Sequence, residues 1–70
     1  MPWVRIDLLE GRSEEQKQKV AAEITRTIAA HLDCKPASVS IVFNDVSPTN
    51  WATEGRLISV KASEKRVDGA

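Results

Sequence analysis

Residue two of this chain is a proline behind the initiator methionine, Met1-Pro2. A small second residue is an ordinary signal for methionine removal, and the product here would be a secondary amine tied to the chain with its direction fixed. An α-amino group titrates near ~7.7–8.0, and a base serves neutral-pH chemistry best when its pKa lies close to ambient. Two kinds of neighbour lower an amine: apolar surfaces, which penalise the ammonium form, and a nearby cation. The sequence offers Leu9 and Trp51 as the first kind and Arg12 as the second. The chemistry such a group supplies is proton transfer, as a base and then as an acid. Position alone also suits a quieter part, since proline is tolerated at the start of an edge strand.

Size limits what could surround that amine. The chain has 70 residues, enough for one domain. A domain this short hides only roughly 60% of the surface its unfolded chain exposes. Small folds compensate with disulfides, a metal or subunit contacts. The single Cys34 excludes an intrachain disulfide, and Cys34 with His31 is too few ligands for a closed zinc site. Subunit contacts remain, so a compact oligomer of closed symmetry is expected. Ten basic and ten acidic residues give zero net charge, without the basic stripe of a nucleic-acid binder. No run approaches the ~20 apolar residues of a membrane span, and the start lacks a secretory pattern. The expectation is a cytoplasmic protein whose partner is a small organic anion, not a nucleic acid or a membrane.

The elements that must position Pro2 are legible from periodicity. Val4, Ile6 and Leu8 alternate with Trp3, Arg5, Asp7 and Leu9, which predicts a strand over Trp3–Leu9. Glu10-Gly11 ends it. Ser13 and Gln16 have capping-box spacing, and Glu14 and Glu15 suit the positive end of a helix dipole. Val20, Ile24, Ile28 and Leu32 form one stripe with Ala21 and Ala29, predicting a helix from Glu14 to Leu32, stopped before Pro36. Val39–Asn44 reads as a second strand, and strand-helix-strand in this order predicts a right-handed crossover with the strands parallel. Asp45–Asn50 reads as a loop, Trp51–Gly55 as a turn and Arg56–Val60 as a short edge strand or hairpin. Lys61–Ala70 is polar and expected to fray. The fold class is thus α/β: one β-α-β unit with two parallel strands, one main helix and a short C-terminal strand or hairpin, assembling into an oligomer. Residues 1–59 form the domain and 60–70 a polar tail.

Pro2, the alternating strand and the string Leu9-Glu10-Gly11-Arg12-Ser13-Glu14-Glu15-Gln16-Lys17 closely resemble the start of the 4-oxalocrotonate tautomerase family. The segment Asn50-Trp51-Ala52-x-x-Gly55 resembles that family's aromatic loop, and the likeness runs from Pro2 to Ser59. The resemblance implies β-α-β subunits that assemble as hexamers, with sites near subunit boundaries. It implies Pro2 as the amine that moves a proton between oxygen and carbon of an enol or dienol acid. Arg12 matches an arginine that engages the substrate carboxylate, for which a planar guanidinium is suited. Trp51 matches an aromatic pocket wall, and Leu9 fits the same wall. Neither metal nor organic cofactor is implied, because the substrate's conjugation spreads the charge.

One position departs from the family. Its best-known members carry a second arginine in the strand after the helix, and the alignment places Ser40 there. Arg56, Lys35 and Arg5 are candidate stand-ins, or a second kind of subunit could supply the cation, making a hetero-oligomer an alternative to a homohexamer. Two rival functions follow. A hydratase or dehalogenase of an unsaturated acid would need a water-activating group, for which Glu54 is the nominee. A non-catalytic subunit of a hetero-oligomeric tautomerase is the other, favoured by Ser40. His31 reads as a helix-end residue, Cys34 as inert, and Asp7 and Asp45 show no metal-cluster pattern.

Overall fold

The computed structural model describes residues 1–69, with side chains as far as residue 63. Strand β1 (Trp3–Leu9) is followed by helix α1 (Glu14–His31), a 3-10 turn at Pro36–Ser38 and strand β2 (Ser40–Val46). A second 3-10 turn at Pro48–Asn50 leads to strands β3 (Ala52–Thr53) and β4 (Arg56–Leu57), then to helix α2 (Ile58–Gly69). β1 and β2 are parallel, in register from Trp3 beside Ser40 to Leu9 beside Val46. The expected β-α-β unit and C-terminal hairpin are both present.

Local chemistry fixes the ends of α1. Ser13 Oγ accepts the Gln16 backbone N–H at 3.1 Å and Gln16 Oε1 accepts the Ser13 N–H at 2.9 Å. That reciprocal pair satisfies two amides that a helix start leaves open. At the other end, Leu32 caps the helix and Asp33 takes a left-handed φ of 54°. The Cys34 N–H then reaches back to the Ala29 carbonyl at 3.1 Å, the six-to-one bond of a Schellman stop. The helix therefore ends one residue earlier than the apolar stripe suggested, and the stop lies at Asp33, not at the proline.

Two boundaries are corrected. β2 runs Ser40–Val46 instead of Val39–Asn44, because pairing with β1 carries Asp45 and Val46 into the ladder. The strand expected over Arg56–Val60 stops at Leu57, where α2 begins. The hairpin loop is Glu54-Gly55, with φ of 55° and 76°; two left-handed residues in a two-residue loop match the strand twist of a hairpin. The polar segment expected to fray is helical through Gly69, and α2 packs on the turn at Pro48–Asn50. Ala70 lies outside the described residues.

Val4, Ile6, Leu8, Ile41 and Phe43 lie on one face of the sheet, half-buried, opposite Ile24, Ile28, Ala21 and Ala29 of α1. No described residue is fully buried. The accessible surface is 5570 Å², against roughly 4300 Å² for a compact monomer of this mass. The radius of gyration is 16.7 Å, where a compact chain of this length has about 11 Å. Trp3, at 68% exposure, and Leu32, at 63%, stand in the open. A single protomer therefore lacks a closed core. No helix among the described residues is long and apolar enough to cross a membrane.

Candidate active site

The sequence-predicted site residues fall into two groups at opposite ends of the sheet. Pro2 leads β1, and its carbonyl accepts the Ser40 N–H at 3.0 Å. That bond pins the residue bearing the candidate base to the first rung of β2. Pro2 is half-buried, whereas Met1 is 94% exposed. Pro2 has the same strand parity as Val4, Ile6 and Leu8, so it belongs to the face covered by α1.

Leu9, Arg12 and Trp51 lie at the carboxyl end. The Glu10 N–H bonds to the Val46 carbonyl at 3.0 Å, carrying the pairing one residue past β1. Gly11 then turns the chain with φ of 121°, a conformation that suits glycine, and Ser13 anchors the helix start. Arg12 is thus held between a sheet bond and a helix cap. Its guanidinium is exposed and makes no hydrogen bond or ion pair among the described residues. It borders a groove of about 320 Å³ lined by Ile6, Leu8, Gln16, Lys17, Val20 and Phe43. Lys17 on that rim is paired with Asp45, which leaves Arg12 as the groove's uncommitted cation.

Trp51 is placed by bonds on both sides. Ser47 Oγ accepts the Thr49 N–H at 3.2 Å and the Ser47 carbonyl accepts the Asn50 N–H at 2.8 Å. The Trp51 carbonyl takes the Ile58 N–H at 2.8 Å as α2 begins. Lys61 reaches back to Thr53 Oγ1, tying α2 to the hairpin. Sequence reasoning missed this clamp, because it treated the segment after Lys61 as a loose tail.

From Pro2 to Leu9 is about 23 Å at strand rise, and Arg12 lies farther on. No arginine side chain spans that. Within one protomer, base and anion-binding cation are not brought together.

The other nominees are scattered. Ser40 sits beside Trp3 on the open face of the sheet. Arg5 shares that face and is committed to Asp7 at 3.2 Å, while Asn44 donates to Asp7 at 2.9 Å. The Asn44 hydrogen bond and, after it, the Arg5 contact hold the Asp7 carboxyl below its ordinary value of 3.8 against a smaller opposing effect of burial. Lys35 precedes the turn at the amino end and has no side-chain partner among the described residues. Arg56 lies in β4 and Glu54 at the exposed hairpin tip. His31 is exposed in the last turn of α1. Among the described residues no group of three or more His, Cys, Asp or Glu could hold a metal.

A parallel β-α-β unit led by proline, with an unpaired arginine where the first strand ends, is a small α/β subunit of tautomerase type. The chain belongs to the tautomerase family: residues 2–61 match the family of tautomerase enzymes. A probable tautomerase of Ralstonia nicotianae is 42% identical over 57 residues, 81% of this chain and 88% of that one. The 2-hydroxymuconate tautomerase of Comamonas testosteroni is 40% identical over 55 residues, 79% of this chain and 87% of that one. Among solved structures, a 4-oxalocrotonate tautomerase isozyme from Methylibium petroleiphilum superposes with a TM-score of 0.86 at 30% identity, covering 90% of this chain and 98% of its own. A heterohexameric 4-oxalocrotonate tautomerase from Chloroflexus aurantiacus gives 0.80 at 37% identity, covering 84% and 95%. The family likeness read from Pro2 and the Leu9–Lys17 string holds, and the chain is an isomerase of the 4-oxalocrotonate tautomerase kind.

Proposed function

We propose that this chain interconverts enol and keto forms of a small 2-hydroxy-dienoate or related enol acid, with the amine of Pro2 as base and then acid. Pro2 nitrogen takes the hydroxyl proton, the electron pair moves through the conjugated chain, and the ammonium returns a proton to carbon. Arg12 of a neighbouring copy holds the carboxylate through paired N–H donors. Leu9 and Trp51 wall the site, which favours the uncharged amine. The reaction needs Met1 removed, since an acylated proline nitrogen has no basic lone pair.

The observation that carries this reading is the pinned, half-buried Pro2 leading β1, in a chain 40% identical to a 2-hydroxymuconate tautomerase. The 23 Å problem makes the site composite, built from one copy's Pro2 and another's Arg12, and supports an oligomer of hexameric type in the cytoplasm. A second reading, a subunit of a hetero-oligomer, is favoured by Ser40 and by the heterohexameric relative.

Complementation tests the composite site. Pro2→Ala and Arg12→Ala chains are each expected to be impaired alone. After subunit exchange, a mixed pair contains one intact Pro2 facing one intact Arg12, so turnover of an enol acid should rise. A mixture no more active than its components would sink the shared site. Intact mass of the parent should be lighter than the encoded chain by one methionine.

A further inference from the structure

β1 is paired on one side only, because the sheet holds two strands, β1 and β2. Along its open face the order is Trp3, Arg5, Asp7, Leu9: apolar, cation, anion, apolar. That order answers itself when the strand is reversed. A two-fold axis normal to the sheet at Ile6 sets Trp3 opposite Leu9 of a second copy, and Arg5 opposite its Asp7. On the other face it sets Val4 opposite Leu8 and Ile6 opposite Ile6.

We propose that Arg5 and Asp7 lock β1 to the β1 of a second copy in antiparallel register centred on Ile6, so that this chain pairs with its own kind. The proposal deepens the functional reading and rests on it in one respect: this junction lays Pro2 of each copy opposite Glu10 of the other, two residues from Arg12. Pro2 and Arg12 also share a face, since Arg12 borders the groove lined by Ile6 and Leu8. Each junction would thus assemble two sites.

The alternatives fail on physical grounds. Sliding the pair by two residues sets Arg5 against Arg5, or Asp7 against Asp7, and like charges directly opposite are destabilising. Sliding it by one turns the apolar set of one strand to the wrong face. The open edge of β2 offers no such match: its outer face carries Ser40, Val42, Asn44 and Val46, and reversal about Phe43 pairs no opposite charges. Pairing through β1 also covers Trp3, 68% exposed, with an apolar neighbour. Within one protomer Arg5 already contacts Asp7 at 3.2 Å, and a guanidinium has donors to spare for a second carboxylate. A chain whose first strand answers itself needs no different subunit to close this junction.

Charge exchange tests the register. Arg5→Asp sets carboxylates against carboxylates, and Asp7→Arg sets guanidinium groups against one another. Each single variant should raise the midpoint concentration of association by about tenfold or more, read by sedimentation and native mass spectrometry, with helix content checked by circular dichroism. Mixed together, the two chains restore both attractive contacts and should associate within about threefold of the parent midpoint. The double variant Arg5→Asp/Asp7→Arg should do the same alone. Single variants that associate like the parent overturn the proposal, and so does a mixture that stays apart. Association is read without substrate, so the two readings separate. Rescued assembly without Pro2-dependent turnover keeps the register and removes the function. Full turnover by monomeric Arg5→Asp keeps the function and removes the register.

Discussion

The two ends of the β1–β2 sheet are built on different terms. At the amino end, one backbone bond from Ser40 to Pro2 holds the candidate base, and the turn at Pro36–Ser38 delivers β2 beside it. At the carboxyl end, Arg12 is fixed by a sheet bond and a capping box, and Trp51 by a 3-10 turn, a hairpin and α2. The lean end supplies a reactive atom, whose direction the proline ring already sets. The elaborate end supplies orientation, which flexible or bulky side chains do not have by themselves. A strand about 23 Å long separates them, so neither end is a site. The difference argues that assembly is part of the chemistry: the two ends become one site only when strands from two copies run in opposite directions.

The largest expected effect breaks the lean end. Pro2→Ala keeps an amine but loses the ring's basicity and direction, and should lower kcat/KM for an enol acid by about 10²–10⁴-fold, measured by initial rates. Unchanged rates would remove Pro2 from the mechanism. At the elaborate end, Arg12→Ala should cost about 10²–10³-fold, while Arg12→Lys keeps charge without the fork and should recover part of it. If Arg12→Lys and Arg12→Ala are equally poor, the fork matters and the charge alone does not; if both match the parent, the carboxylate is held elsewhere.

A smaller effect sharpens what the lean end lacks. Among the described residues beside Pro2 there is Ser40 and no arginine, and Lys35 is the uncommitted cation at that end. The parent should therefore show little preference for a second carboxylate on its substrate. Ser40→Arg should shift the dicarboxylate-to-monocarboxylate ratio of kcat/KM upward by about 10- to 100-fold. A parent that already strongly prefers dicarboxylates would mean that another cation fills this part, and Lys35→Ala would then be the variant to lose it.

How much of this was legible follows the range of the interactions. The capping box needs only Ser13 and Gln16 three residues apart, and both bonds are present. The parallel strands follow from alternation and from the length of the connecting helix. By contrast, Arg56-Leu57-Ile58-Ser59-Val60 has strand character locally, and becomes helical from Ile58 because α2 packs on Pro48–Asn50, a contact no short window contains. The stop at Asp33 was hidden for a related reason: a left-handed aspartate is uncommon, and Pro36 offered a more obvious terminator. Pro2, Leu9, Arg12 and Trp51 could each be picked out by type and family string. Their separation could not be used until the strand was seen to be straight and the protomer open.

The smallest expected effect concerns the outer face that the two ends share. Asp7 accepts from Asn44 and contacts Arg5, and both hold its carboxyl below the ordinary value of 3.8. The fold thus favours the ionised form, so what Asp7 contributes is fully present above that value and is lost as pH falls through the lower, folded one. Asn44→Ala removes the larger of the two stabilising contacts and leaves Arg5 in place. The folded pKa should then rise toward the ordinary value, moving acid dissociation or unfolding to slightly higher pH while neutral-pH behaviour stays as it was. An acid titration followed by circular dichroism and sedimentation reads both. If the acid transition of Asn44→Ala coincides with that of the parent while Asp7→Asn moves it, Arg5 alone sets the charge on Asp7. If neither moves it, this face is indifferent to protonation and the junction between copies depends on its apolar residues.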